Sequence, residues 1–300
     1  MRLGITTVLL LVGGSTLPVF GGISPLPANL ANSVDYINFT GPNTYPSSQL
    51  ICVSAGCGGA FNPTISASSA GLPVGPAYTT TVWCVDYQLN VTTASKYLTN
   101  VTTLNNVSVP DSNVRYGNLD GLSSGSSAGW TYGLSWSGPG TVDTNSAVFR
   151  YTLAAALISQ YAGNPGQLAG NPEDLAIQQA IWYITSNKDY TNEDPPFINS
   201  DGSSATVNDP LYWVNYVESN TNNSVSGLNL NSWAVVSGPA NADGTLQDPS
   251  VSNGYNSYQT FLVEVTPEPS FYGLLAAGMV GLFFVARRGT KQRTSTESDC

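Results

Sequence analysis

The chain has no histidine in its 300 residues, and that absence removes every Ser/His or Cys/His nucleophile pair together with the commonest zinc ligand. Most hydrolase and metalloenzyme chemistries are thereby excluded. Charge is scarce as well: 9% of residues are Asp, Glu, Lys or Arg, against about a quarter in ordinary soluble domains. Between Gly22 and Thr266 only Lys96, Arg115, Arg150 and Lys188 are basic, against sixteen acidic residues. Such a chain repels a phosphate backbone, so nucleic acid is not expected as a partner. Carboxylates arranged for glycoside hydrolysis are missing too. Glu173 with Asp174 and Glu193 with Asp194 are sequence neighbours, better explained by capping and solvation than by a pair facing across a cleft. The Asp201-Gly202 and Asp243-Gly244 loops lack the alternating oxygen ligands of a calcium loop. No catalytic residue, metal or cofactor is expected, and the chain is not read as an enzyme.

What is present is enough apolar material for an ordinary core, 41% of residues with 10% aromatic, in a background of Ser, Thr, Asn and Gly. That balance suits an exported, strand-rich protein. Arg2 precedes an apolar run from Leu3 to Val12, and Val19 and Gly21 can occupy the small-residue positions of a signal peptidase site, so residues 1–21 read as a signal peptide. At the other end, residues 271–286 form an uncharged run followed by Arg287, Arg288, Lys291 and Arg293. This predicts a short membrane-spanning helix with its basic flank on the cytoplasmic side.

Directly before that run stands Pro267-Glu268-Pro269-Ser270. The succession of Pro-Glu-Pro, apolar helix and the Arg287-Arg288 cluster resembles the PEP-CTERM sorting signal of Gram-negative bacteria, covering residues 266–300. The resemblance implies processing by an exosortase, a membrane transpeptidase, with cleavage near Pro267 to Pro269 and transfer to a surface carrier. The chain is then membrane-anchored only before processing, and ends in the cell envelope or outside it.

Between the ends, β-branched and aromatic runs at 36–39, 50–53, 79–89 and 97–104 alternate with Gly, Pro, Asn and Ser clusters and predict strands. The Gly/Ser-rich stretch 117–140 carries Trp130, Tyr132 and Trp136 and reads as an ordered loop or irregular strand pair. Three helices follow. Asn145 or Ser146 caps a run to Tyr161; Asn171 with Pro172, Glu173 and Asp174 opens a second; Asp209 and Pro210 open a third. Strands at 232–236 and 258–265 close the region. The expected fold is α+β: a β-rich body, barrel or sandwich-like, with a small subdomain of about three helices, over residues 22–265.

Three cysteines precede the membrane run, and Cys300 lies beyond it. Cys52 and Cys57 are separated by four residues and can close a local disulfide in an oxidising exterior. Cys84 can then stand as a buried thiol, or pair with either of the other two. It lies in Val82-Trp83-Cys84-Val85-Asp86-Tyr87, a segment with the character of a core strand. The second helix carries Gln178 and Gln179 inside an otherwise apolar face, Leu175 to Ile184. A buried amide must find partners or react, because leaving it unsatisfied costs about 1–3 kcal/mol.

The Trp83-Cys84-Val85-Asp86 segment and the Ile177-Gln178-Gln179-Ala180-Ile181-Trp182 segment together resemble the bacterial thioester domains, surface modules in which a strand cysteine is joined to a glutamine by an internal thioester. The resemblance covers roughly residues 82–185. It implies a bond from Cys84 to Gln178, chosen over Gln179 because the family sets its glutamine two residues before Ala-Ile-Trp. It implies covalent attachment to a surface amine, through attack of a thiolate on the amide and later opening of the acyl-sulfur bond. Such a bond persists only where water is excluded. The alternative is a non-covalent exopolysaccharide or biofilm matrix protein, with an aromatic, Asn/Ser/Thr-rich face for sugar and with Cys84 and Gln178 purely structural.

Overall fold

The computed structural model describes residues 24–41, 44, 50–53, 56–85, 96–107, 114, 146–161, 170–185, 206–224, 230–246, 259–266 and 278–280. The signal peptide, Pro267-Glu268-Pro269, Arg287, Arg288, Cys300 and the 117–140 stretch lie outside the described residues, as does most of the 271–286 run. Among the described residues no helix is long and apolar enough to cross a membrane.

Ten strands form one antiparallel sheet: β1 (Ser33–Asn38), β2 (Leu50–Val53), β3 (Gly56–Phe61), β4 (Thr64–Ser69), β5 (Leu72–Pro73), β6 (Tyr78–Thr79), β7 (Val82–Cys84), β8 (Lys96–Thr103), β9 (Trp233–Ser237) and β10 (Phe261–Glu264). With α1 (Ala147–Ile158), α2 (Pro172–Thr185) and α3 (Pro210–Ser224), this is the expected α+β fold with a β-rich body.

The ladder closes on itself. β1 pairs with β4 on one side and β8 on the other; β8 pairs with β9, β9 with β10, and β10 with β7. The Ala60↔Trp83 and Phe61↔Val82 pairs of β3 and β7 continue in the same register as the Thr64↔Thr79 and Ile65↔Tyr78 pairs of β4 and β6. Thr80 N–H bonding Pro63 O at 3.0 Å fills the break between them. The stretches 56–69 and 78–84 are therefore two long kinked strands that join the two ends of the ring. Closure explains how Phe39, beside β1, meets Phe261 of β10 at 5.4 Å between ring centroids. Three ladder steps separate those strands, roughly 14 Å in a flat sheet.

Period-two alternation then sorts the side chains into two cores. Ile37, Phe39, Phe61, Ile65, Val82, Cys84, Val236, Phe261 and Val263 fill the inside of the ring. Trp83, Val85, Val235 and Leu262 face outward and pack under the helices, against Tyr151, Leu157, Ile177, Ile181 and Val217.

The helices begin where the sequence predicts. Ser146 Oγ accepts from Phe149 N–H at 3.3 Å, Asn171 Oδ1 from Glu173 N–H at 3.0 Å, and Asp209 Oδ1 from Leu211 N–H at 2.9 Å, each satisfying a first-turn amide that has no partner in its own helix. α1 is buried almost all round, including Arg150, which is fully buried and donates to Ile184 O at 2.8 Å. A guanidinium on a carbonyl at the end of α2 satisfies an end-of-helix acceptor and complements the helix dipole.

β3, β4 and the two-residue β5 are the strands the sequence reading lacks. β3 reads Gly-Cys-Gly-Gly-Ala-Phe, and glycine is ordinarily a loop signal. Two of its glycines are required by close packing and backbone shape, as the site shows.

Candidate functional site around Cys84

Cys84 is the last residue of β7, carries a buried thiol, and points into the ring. Two N–H groups meet its sulfur. Trp182 Nε1, from α2, lies 3.4 Å away, and Gln259 Nε2 lies 2.7 Å away, a separation ordinary for an oxygen acceptor and short for the larger sulfur. Register explains the second contact. Phe261 stands opposite Cys84, so Gln259, two residues before Phe261, is on the same face and diagonal to the thiol.

Gln178 reaches the same cysteine from another direction. Its Nε2 donates to the main-chain carbonyl of Cys84 at 3.0 Å, and its Oε1 accepts from Gly59 N–H at 3.0 Å and Tyr161 O–H at 2.8 Å. The β3/β7 ladder explains this placement. Val85 N–H bonds Thr260 O at 3.1 Å, so the N–H and C=O of Cys84 point away from β10 and toward β3. After Ala60↔Trp83 the next position in register sets Gly59 beside Cys84. The Gln178 carboxamide is inserted between Gly59 N–H and Cys84 C=O, presenting an acceptor to one and a donor to the other as a peptide group would.

The pairing of β3 with β7 ends next to this insertion, at Ala60↔Trp83. Gly59 has φ 98°, in the region that glycine tolerates without strain. Gly58 has no room for a side chain, because a Cβ there would lie 2.2 Å from Cζ2 of Trp182. The glycines that disguise β3 are thus the residues that admit Trp182 and Gln178 to the cysteine. Gln179, the neighbour the resemblance passes over, is buried but makes no described contact with Cys84.

The site is dry. Cys84 and Gln178 have no exposed surface, Gln259 retains 3%, and Trp83 and Trp182 1% each. Tyr161 stacks on Trp83 with centroids 5.1 Å apart and planes 20° from parallel. Burial holds the Tyr161 phenol well above its ordinary range, and the negative charges available to Asp174 and Cys84 push it the same way. Both effects favour the neutral phenol, whose O–H donates to Gln178 Oε1.

Cys52 and Cys57 are Cα partners in the backbone register of the β2/β3 hairpin. Directly opposed residues in antiparallel strands have Cα atoms about 4.5–5.5 Å apart, within the span a disulfide bridges. Among the described residues no group of three or more His, Cys, Asp or Glu is placed to hold a metal ion.

The sequence reading brings Cys84 and Gln178 to one place, and the structure does the same. It misses Gln259 and Tyr161. A signal for Gln259 existed: Tyr258-Gln259-Thr260-Phe261-Leu262 is another lone amide in an apolar stretch, and the argument applied to Gln178 applies to it. No protein-family model, curated protein or solved structure matches the chain, so the chemistry is argued from this geometry.

Proposed function

We propose that the protein forms an internal thioester at Cys84 and acts as an exported, surface-sorted adhesion module that bonds covalently to amines. The observation that carries this reading is the convergence of two buried glutamine amides on one buried cysteine, Gln259 on its sulfur and Gln178 on its main-chain carbonyl. Gln259 is the glutamine whose amide meets the sulfur, and we assign it as the acyl partner. Gln178, which the sequence resemblance selects, meets the main-chain carbonyl instead.

The chemistry balances without a cofactor. Cys84 sulfur adds to Cδ of Gln259, the C–N bond breaks, and the thiol proton leaves with the amide nitrogen as ammonia. An incoming primary amine later attacks the same carbon, forms an amide to the Gln259 side chain and returns the thiol. Exclusion of water by Trp83, Trp182 and Tyr161 protects the acyl-sulfur bond from hydrolysis until then. Export through the 1–21 signal, sorting by an exosortase-type enzyme at Pro267-Glu268-Pro269, and an amine on a cell surface or matrix polymer as target complete the proposal.

A second reading keeps Gln178 as the acyl partner. It is favoured by the two donors on Gln178 Oε1, Gly59 N–H and Tyr161 O–H, which are placed as an oxyanion site would be. Intact mass of the full chain, wild type beside Gln259→Ala and Gln178→Ala, separates the two. The first reading expects the loss of one ammonia to vanish in Gln259→Ala and a lighter species still to be detected in Gln178→Ala; the second expects the reverse. A wild-type chain at full mass, with no uptake of methylamine, contradicts both.

A further inference from the structure

We infer that Tyr161 is a positioning residue of the acyl-transfer site: with Gly59 N–H it fixes the orientation of the Gln178 carboxamide, which in turn holds the main chain of Cys84 for reaction. This rests on the reading of Cys84 as the acylated group and of Gln259 as its partner.

The orientation of an amide is ordinarily ambiguous, because its oxygen and nitrogen look alike. Here the partners decide it. A peptide N–H can only donate and a peptide carbonyl can only accept, so Gly59 N–H requires Oε1 on its side and Cys84 C=O requires Nε2 on the other. Tyr161 O–H at 2.8 Å adds a second donor to Oε1, and a reversed amide would set its own N–H groups against Gly59 N–H. The tyrosine ring is itself fixed by stacking on Trp83, the residue preceding the cysteine. Four elements, β3, β7, the end of α1 and α2, are thus tied at the carbonyl of the reacting residue. Their common effect is to hold β7 at its last residue, where the sulfur must stay within reach of Gln259 rather than follow a fraying strand end.

Two substitutions test this in the full chain made by cell-free synthesis, with the fraction lighter by one ammonia followed over time. Tyr161→Phe keeps the ring and its stack and removes one donor; the rate of ammonia loss is expected to fall roughly tenfold, as loss of one buried hydrogen bond implies. Gln178→Glu is the sharper test. Its carboxylate still accepts from Gly59 and Tyr161 but cannot donate to Cys84 C=O, whereas the protonated acid can. Measured against wild type at the same pH, which cancels the common loss of thiolate on acidification, ammonia loss is therefore expected to be slow at about pH 8 and to recover toward the wild-type rate at about pH 5, a rescue that a packing role would not produce. Wild-type rates in both variants at both pH values would overturn the inference while leaving the thioester standing. No ammonia loss from Gln178→Glu at either pH, together with normal loss from Gln259→Ala, would overturn it by making Gln178 the acyl group. Full mass in the wild type would remove the reading beneath it.

Discussion

Gln259 Nε2 lies 2.7 Å from the sulfur of Cys84, although 175 residues separate the two in sequence. The contact exists because β10 is the neighbour of β7 in the closed ladder and Phe261 is opposite Cys84. A closing strand, drawn from the far end of the folded region, delivers the amide to a thiol near its beginning.

Cys84→Ala removes the nucleophile and a few buried atoms. The variant is expected to fold, at a cost of about 1–2 kcal/mol in melting experiments on the non-acylated forms, and to show neither ammonia loss nor methylamine uptake. Amine capture by Cys84→Ala would mean that another residue carries the reaction.

Gly58→Ala places a methyl against the indole of Trp182. With the opposing ring fully buried, β3 or α2 must shift, and a destabilisation of about 2–3 kcal/mol is expected from chemical denaturation. Because Trp182 Nε1 also contacts the thiol, the acylated fraction is expected to fall with it. Unchanged stability would show that Trp182 is not pinned where the structure places it.

Asp35 lies on the inward face of β1, 1% exposed, with Ser33 Oγ donating to it at 3.0 Å. Burial pushes its carboxyl up from 3.8 to about 7, with the Ser33 bond acting in the opposite direction. The folded state keeps this proton up to about pH 7 and the unfolded chain releases it near pH 4, so the contribution of Asp35 to stability falls as pH rises through that interval and is level above it. Asp35→Asn is expected to flatten that fall and to be more stable than wild type at pH 8, by on the order of 2–4 kcal/mol. Parallel pH profiles for the two proteins would contradict the assignment.

Thr260 Oγ1 is buried and has no hydrogen-bond partner among the described residues. Thr260→Val keeps the shape and removes an unsatisfied hydroxyl, so a gain of about 1 kcal/mol is expected. A loss of that size would indicate a partner for the hydroxyl.

Much of the fold was legible because its signals are local. The caps at Ser146, Asn171 and Asp209 act within one turn of their own helices, and the strands around Tyr36, Leu50, Trp83 and Leu98 carry β-branched and aromatic residues in short runs. β3 was not legible, since Gly58 and Gly59 look like loop residues until Trp182 and Gln178 are seen packed against them. Cys84 and Gln178 could be brought together from sequence through a family resemblance, whereas Gln259 depends on the register of β10 against β7, a long-range fact that no spacing along the chain encodes. The same limit applies to Cys52 and Cys57: their separation permitted a disulfide, and the hairpin register sets them opposite one another.

The most direct test of the account is the intact mass of the freshly purified full chain, before and after exposure to methylamine, with fragmentation across residue 259. The account predicts a species one ammonia lighter than the sequence, converted to a methylamine adduct carried on Gln259 as the Cys84 thiol returns. A chain at its full sequence mass, with Cys84 open to alkylation and no methylamine incorporated, would contradict it.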